Sequence, residues 1–215
     1  MNYKDSWKSK EVFEKQLALN EKELTRYPYH WNCFLTAVKM LDPQPKSILD
    51  VGCGCGALSE VCKTNFPDLK YKGVDYSEDA IDIASSKWGG DWEAKDYRNL
   101  NEDDLSYDLL HAGALLDVLP DADEAFEFLC GLGFKNLIFG RMKVVDGKSY
   151  SKTYEAYDLI TTYAFYHNQH FVHQVLSSNG YNYSAAGMHD NWTLVCSKQE
   201  LTWDQVDPIQ VQDYD

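Results

Sequence analysis

The spacing of apolar residues predicts two helices in the first part of the chain. Val12, Phe13, Leu17 and Leu24 lie among Lys and Glu residues, which is the amphipathic pattern of a surface helix. A second helix is expected over residues 31–40, before two closely spaced prolines. Residues 1–45 are therefore predicted to form a helical N-terminal cap.

The pattern then changes to short apolar runs separated by helical segments. Buried strands are predicted over 47–51, 71–75, 107–111 and 136–140, with a weaker strand over 91–94. Helices are expected over 57–65, after Ser77 as an N-cap and after Asp121 as an N-cap. Strands that alternate with helices imply βαβ units, and hence a parallel sheet with helices on both faces.

The alternation ends after residue 140. Residues 141–164 read as a polar, Tyr-rich connection, and residues 167–178 as a helix that ends at Asn179-Gly180. The last two strands, over 181–187 and 192–197, are joined so closely that they can only form an antiparallel hairpin. The expected fold is α/β, with a doubly wound, mostly parallel sheet of seven strands, N-terminal helices and a C-terminal antiparallel hairpin.

Length and charge narrow the class of protein. The 215 residues suit one domain, predicted over 1–198, followed by an acidic and mobile tail over 199–215. A net charge of −14 argues against nucleic acid as a partner, because nucleic-acid binding depends on Lys and Arg. Neither a signal sequence nor a membrane span is recognised, so a cytoplasmic protein with reduced cysteines is expected.

The Gly-rich turn after the first predicted strand allows two ligands. Gly52-x-Gly54-x-x-Ala57, followed by Asp75 at the end of the next strand, fits a dinucleotide site and an NAD-dependent oxidoreductase. Asp50 argues against this interpretation, because a carboxylate there repels a pyrophosphate and suits an amino group and a sulfonium cation. The terminal hairpin also replaces the second βαβαβ half that a dinucleotide fold would have.

Residues 48–56 (ILDVGCGCG) resemble motif I of class I S-adenosylmethionine (SAM)-dependent methyltransferases. The resemblance extends over about residues 46–198 and implies SAM as the cofactor. It implies that Asp75 accepts hydrogen bonds from both ribose hydroxyls, which suits a carboxylate, and that Asp96 accepts one from the adenine amino group. The complete set of cofactor-binding residues that it implies is Asp50, Gly52, Cys53, Gly54, Gly56, Asp75, Tyr76, Asp96, Tyr97 and His111.

Structural roles remain open for three of these residues. Asp75 could cap the helix that follows it, Asp96 could be a solvated loop acid, and His111 could be a polar strand end. The Cys53-x-Cys55 pair and the histidines at 167, 170 and 173 do not have the usual spacing of metal ligands. No metal site is therefore predicted, and an exposed or rim position is expected for these three histidines.

The chemistry of methyl transfer indicates further candidates. The transfer is an in-line displacement that needs alignment of the acceptor and, for some acceptors, removal of a proton. His111 and His167 are the candidate catalytic residues. Tyr29, Arg141, Tyr154 and Tyr157 are the candidate acceptor-binding residues, with ordinary aromatic packing and a surface ion pair as the alternatives.

Residues 115–120 (LLDVLP) resemble the corresponding stretch of small-molecule methyltransferases. The resemblance therefore implies an enzyme that transfers a methyl group from SAM to a small-molecule acceptor. A non-catalytic SAM-binding domain of the same fold is the alternative, because a fold does not fix an activity. The acceptor and the oligomeric state are not fixed by the sequence.

Overall fold

The computed structural model describes residues 6–188 and 191–202, whose strands form one mixed sheet with helices on both faces. The strands are β1 (Ser47–Val51), β2 (Lys70–Asp75), β3 (Asp91–Ala94), β4 (Leu109–Gly113), β5 (Asn136–Val145), β6 (Tyr150–Ala156), β7 (Ile160–Asn168), β8 (Asn182–Met188) and β9 (Asn191–Ser197). The helices are α1 (Lys10–Thr25), α2 (Tyr29–Lys39), α3 (Leu58–Asn65), α4 (Glu78–Trp88), α5 (Glu102–Leu105), α6 (Ala122–Gly131) and α7 (Gln169–Ser178), with a 3-10 turn over Tyr97–Asn99.

The strand order is β3-β2-β1-β4-β5-β7-β6, and β9 pairs with both β5 and β8. Strands β1 to β5 pair with one another in parallel, whereas β9 is antiparallel to β5 and β8 is antiparallel to β9. The long β5 pairs first with β9 and then, over its last three residues, with β7 in parallel. The predicted α/β fold, with its largely parallel sheet and terminal antiparallel hairpin, is confirmed.

The predicted number of seven strands is wrong, because the described residues form nine. Residues 141–164 are not a polar connection: β5 continues to Val145, and β6 and β7 form an antiparallel hairpin. The first six residues of β6 are exposed, so this edge strand has no apolar face to give a period of two. In β7 the buried positions include Thr162 and His167, and these polar residues hide the alternation.

The two large apolar clusters of the core lie on opposite faces of the sheet, and a third, small cluster joins Val12 to Ala156 and Ile160. Leu49 and Leu110 face α6 and α7, whereas the adjacent Ile48 and Leu109 face α2 and α3. Successive side chains of a strand point to opposite faces, so these strands are apolar on both sides. The one polar side chain of β4 is His111. It lies near the carboxyl end of the strand, so this edge of the sheet is where a functional site is expected.

The helix boundaries differ from the predicted ones by one or two residues. Ser77 caps α4 as expected, since its hydroxyl accepts from the backbone amide of Ala80 at 3.5 Å. Asp121 occupies the N-cap position of α6 but makes no capping bond; its carboxylate accepts instead from the Arg98 guanidinium at 2.6 Å. Helix α7 begins at Gln169 rather than at residue 167, because β7 continues to Asn168 and Asn168 caps the helix.

The start of the predicted tail packs on the end of α2. Leu201 forms an antiparallel bridge with Leu41, and the Thr202 amide donates to the Met40 carbonyl at 3.0 Å. The rest of the tail, over 203–215, lies outside the described residues, as do residues 1–5 and the hairpin residues 189–190. Among the described helices, none combines the length and the apolar composition needed to cross a membrane.

Candidate active site

A cavity of about 440 Å³ lies at the carboxyl ends of β1, β2, β4 and β5, between α1, α2 and the β6–β7 hairpin. This edge of an open α/β sheet is where such folds bind ligands. Many of the residues that the sequence singled out line this one cavity: Asp50, Gly52, Cys53, Gly54, Asp75, Tyr76, His111, Arg141, Tyr154 and Tyr157. Candidate cofactor and acceptor residues are thus brought together.

The Gly-rich turn forms the floor of the cavity and is fixed to β2. The amides of Gly52 and Cys53 both donate to the Val74 carbonyl, at 2.8 and 3.1 Å. Gly54 has φ +54°, a left-handed conformation that is costly for residues with a Cβ. A Cβ at Gly54 would also lie 2.6 Å from the Gln16 side-chain oxygen, so a larger residue there would displace the Gln16 side chain.

Asp75 links the turn to the start of α4 and also faces the cavity. Its carboxylate accepts from the Gly54 amide at 2.9 Å and from the Ser77 amide at 3.0 Å. Burial raises the pKa of Asp75 to about 6, and the negative charge of Asp50 contributes to the shift. Each carboxylate oxygen accepts more than one hydrogen bond, so the helix-capping contact does not prevent Asp75 from binding a ligand.

Asp50 and His111 form a buried pair at the adjacent strand ends. The distance from Asp50 Oδ1 to His111 Nδ1 is 2.6 Å, and the Tyr71 hydroxyl donates to Asp50 Oδ2 at 2.5 Å. The His111 ring also packs edge-on against Phe34, with centroids 4.9 Å apart. A Cβ at Gly113 would lie 2.6 Å from His111 Cε1, so the ring depends on the absence of a side chain there. With Asp50 ionised, Nδ1 carries the proton and Nε2 is the basic nitrogen.

Arg141 reaches the cavity because β5 is irregular at this residue. The register between β5 and β9 shifts between Phe139 and Met142, and Arg141 has φ +61°. Such a bulge re-aims a side chain at the edge of a sheet. The neighbouring His30 is a cavity residue that sequence reasoning missed. Burial, followed by the charges of Arg141 and His111, lowers the pKa of His30 to about 3, which keeps its imidazole neutral.

Helix α1 connects the hairpin to the Gly-rich turn across the cavity. The Lys15 ammonium donates to the Tyr157 carbonyl at 3.0 Å, and the Cys55 amide donates to the Gln16 side-chain oxygen at 3.1 Å. Before the helix, the Trp7 indole donates to the Thr162 hydroxyl at 3.0 Å. These contacts depend on tertiary packing, and the sequence carried no signal for them beyond an amphipathic helix.

Asp117 is a second cavity residue that the sequence did not identify as a site. Its side chain is only 4% exposed, and among residues 6–188 and 191–202 its Oδ1 atom has no hydrogen-bond partner. The Phe165 amide donates to the Asp117 carbonyl at 2.9 Å, which ties this loop to β7. Burial raises the pKa of Asp117 above its usual range, and the charge of Arg141 opposes the shift.

His167 lies elsewhere, and the rim position expected for it is wrong. Its side chain is fully buried against Phe126 and Phe165, and it does not line the cavity. Its Nδ1 atom lies 2.7 Å from the Asp123 carboxylate. The position on β7, rather than on the predicted helix, turns the ring into the core.

Four further candidates do not line the cavity. Asp96 caps the 3-10 turn by accepting from the Arg98 amide at 3.0 Å, and Tyr97, the first residue of that turn, is buried. A Cβ at Gly56 would lie 2.4 Å from the Trp92 ring, so this glycine is needed for packing behind the turn. Tyr29 is half-buried at the start of α2, and burial raises its pKa to about 12.

Residues 48–130 match a family model described as a methyltransferase domain. A release factor glutamine methyltransferase of Aliivibrio fischeri is 42% identical over 48 residues, 22% of this chain and 17% of the relative. A tRNA1(Val) (adenine(37)-N6)-methyltransferase of Vibrio parahaemolyticus is 44% identical over 46 residues, 21% of this chain and 19% of the relative. The matched segments thus span less than a fifth of each curated relative.

Solved structures share the fold at low sequence identity. Human N-acetylserotonin methyltransferase in complex with SAM is similar with a TM-score of 0.62 and 17% identity, over 89% of this chain and 57% of that one. CalS10, an amino pentose methyltransferase from Micromonospora echinaspora with SAM bound, is similar with a TM-score of 0.61 and 13% identity, over 85% and 97%. These structures show that the fold is shared, and the segment that contains motif I lies within the residues that match the methyltransferase domain model.

Proposed function

We propose that this chain, which has the class I SAM-dependent methyltransferase fold and a methyltransferase domain over residues 48–130, is an enzyme that methylates a small-molecule acceptor. The observation that carries the proposal is the joining of two surfaces in one cavity. The Gly-rich turn and Asp75 form one surface, and Arg141 with the tyrosines of the hairpin forms the other.

The residues present fit SAM. The left-handed Gly54 brings backbone to the cavity floor without a side chain, and Asp75 offers acceptor oxygens beside it that suit the ribose diol. Tyr76 lines the cavity next to Asp75 and is placed to contact the base. When bound, SAM supplies an electrophilic methyl group on a sulfonium. We assign no cofactor contact to Gly56, Asp96 or Tyr97, because none of them lines the cavity.

His111 is the residue that we assign to proton removal. Its Nδ1 is held by Asp50, so its Nε2 is free to accept a proton from an acceptor group when the acceptor needs one removed. The short contacts of Asp50 with His111 and Tyr71 fix the imidazole orientation. His167 has no such role, because its ring is buried away from the cavity.

A small acceptor is favoured by the shape and charge of the cavity. Helix α1 and the hairpin close around it, with Trp7 and Tyr157 in contact at 6.3 Å between ring centroids, so the remaining space suits a compact molecule. The net charge of −14 also disfavours a polyanionic acceptor. A non-catalytic SAM-binding domain is the second candidate, but a filled acceptor side would be expected for it.

The experiment is calorimetric titration of the purified protein with SAM, S-adenosylhomocysteine (SAH) and NAD in parallel. We expect SAM and SAH to bind and NAD to give no heat of binding. If NAD binds and SAH does not, the proposal is refuted, and Gly52-x-Gly54-x-x-Ala57 is then assigned to dinucleotide binding. Release of SAH from SAM with a pool of small metabolites, measured by mass spectrometry, then separates an enzyme from a non-catalytic domain.

A further inference from the structure

We infer that the acceptor is a small zwitterionic molecule, with an ammonium group bound by Asp117 and an anionic group bound by Arg141. The inference rests on the proposed function and deepens it, because it names the chemical class of the acceptor. Both residues line the same cavity. Among the described residues, neither forms a hydrogen bond with the Gly-rich turn, so both lie apart from the cofactor-binding turn.

Asp117 is a buried carboxylate with one oxygen that lacks a hydrogen-bond partner within the described chain, and a ligand can supply that partner. It is 4% exposed, and its Oδ1 atom has no partner within the described part of the chain. A buried carboxylate without partners is costly, and the cost is removed by a cation that donates hydrogen bonds. A ligand ammonium supplies the positive charge and up to three donors, so it matches this position.

Within residues 6–188 and 191–202, no cationic side chain forms an ion pair with Asp117. Arg141 exerts the largest opposing charge on Asp117, yet no ion pair within 4.0 Å joins the two side chains among the described residues. His167 also acts on Asp117 electrostatically, but its Nδ1 is held by Asp123, and among the described residues its Nε2 atom makes no hydrogen bond to Asp117. Because Asp117 lines the cavity, a ligand there can supply the cation.

Arg141 has the complementary properties at the outer side. Arg141 is exposed although it lines the cavity. The β5 backbone is bulged at this residue, with a strained φ of +61°, and this directs the side chain to the cavity. Strained backbone of this kind is concentrated at functional sites. A planar guanidinium binds a carboxylate or phosphate through two parallel hydrogen bonds, so the outer anion of the acceptor is assigned to Arg141.

The walls between the two charges are aromatic. Trp7, Tyr154 and Tyr157 line the cavity, and Trp7 packs edge-on against Tyr157. Such walls favour an apolar or aromatic body between the charged ends, and they favour cations by contact with ring faces. Glu155 is the other acid on this side, but it is exposed and accepts from the Thr161 hydroxyl at 2.6 Å.

The test uses three probes of similar size on the SAH-loaded protein. Free tyrosine carries both charges, tyramine only the ammonium, and 3-(4-hydroxyphenyl)propionate only the carboxylate. Calorimetry is expected to show tyrosine binding at least about tenfold more tightly than either single-charge probe, since each single-charge probe lacks one of the two charged hydrogen-bonding groups. Asp117→Asn should weaken tyramine and tyrosine at least about tenfold and leave the propionate within about twofold.

Arg141→Gln should give the reverse pattern, and Asp82→Asn is the matched control that should leave all three probes unchanged, because Asp82 is exposed and does not line the cavity. Equal binding of the three probes, or no binding of any, overturns the inference. So does an Asp117→Asn protein that is folded by thermal unfolding and binds tyramine normally. If Asp117→Asn does not fold, the ranking of the probes on the native protein decides. Failure of SAH itself to bind is a different result, which refutes the proposed function.

Discussion

Replacement of Asp75 by Asn tests the assignment of the cofactor site most directly. The carboxylate already accepts from the Gly54 and Ser77 amides, and in the proposed complex it also accepts from the ribose diol. The Gly54 and Ser77 amides bind different oxygens of Asp75, whereas Asn keeps one neutral acceptor oxygen and its NH₂ group cannot accept. Loss of the diol contact to a charged acceptor costs about 3 kcal/mol, so the affinity for SAH should fall about 150-fold.

The pH dependence gives an independent readout of the same residue. Because the pKa of Asp75 is raised to about 6 in the unliganded protein, this carboxyl group becomes protonated as the pH falls below 6. The protonated form loses acceptor capacity, so binding of SAH favours the ionised form. The affinity of the native protein should therefore be about tenfold weaker at pH 5 than at pH 7. Asp50 is the acid whose charge contributes to the raised pKa.

The assay is calorimetric titration with SAH at pH 7 and pH 5, with thermal unfolding to establish that each protein is folded. Asp82→Asn is the matched control. Asp82 lies on the exposed side of α4, and its replacement removes the same charge from the chain as Asp75→Asn does. The control should keep both the native affinity and the native pH dependence. A folded Asp75→Asn protein that binds SAH within about threefold of the native protein would refute the ribose assignment.

Two further predictions concern stability, measured as the free energy of unfolding in urea. Gly113→Ala should cost about 1–3 kcal/mol, because the new Cβ would lie 2.6 Å from His111 Cε1, whereas Gly131→Ala, with no atom within 4 Å of its Cβ, should change stability by less than about 1 kcal/mol; equal costs would contradict the steric argument. Asp104 is fully buried beside the Lys72 ammonium, and its pKa is lowered to about 2, so Asp104→Asn should lose about 2 kcal/mol at neutral pH. Because the folded-state pKa is depressed, that difference should persist above about pH 4 and shrink as the pH falls toward 2, and a difference that does not depend on pH would refute this origin.

Short sequence patterns were sufficient to predict the parallel strands and the turn that follows β1. The run that ends in Asp50 is apolar on both faces because β1 is buried between two helical layers, and such a run is recognisable in one sequence. The turn at Gly54 and the acid at Asp75 follow from the chemistry of a ligand at strand ends. These residues were predicted correctly to lie at one edge of the sheet.

The remaining parts of the site depend on contacts between distant segments. Asp117 lies in an apolar stretch, and the backbone amide of Phe165 in β7 donates to its carbonyl. No residue near Asp117 in the sequence indicates that its Oδ1 atom is buried without a partner among the described residues. Gln16 reaches the Gly-rich turn only after α1 has packed there. The predicted His167 was misplaced because Thr and His at buried positions concealed β7.

The β6–β7 hairpin also bears on how proteins with this sheet can diverge. It joins the sheet through three residue pairs, between Lys143–Val145 and Tyr166–Asn168, and it makes no strand pairing with β1, β2 or β4. A change in the length or composition of residues 150–168 would therefore alter one wall of the cavity and leave the Gly-rich turn in place. New acceptor preferences could accumulate in this single contiguous stretch, and exchange of the hairpin between related chains is a compact route to re-engineer them.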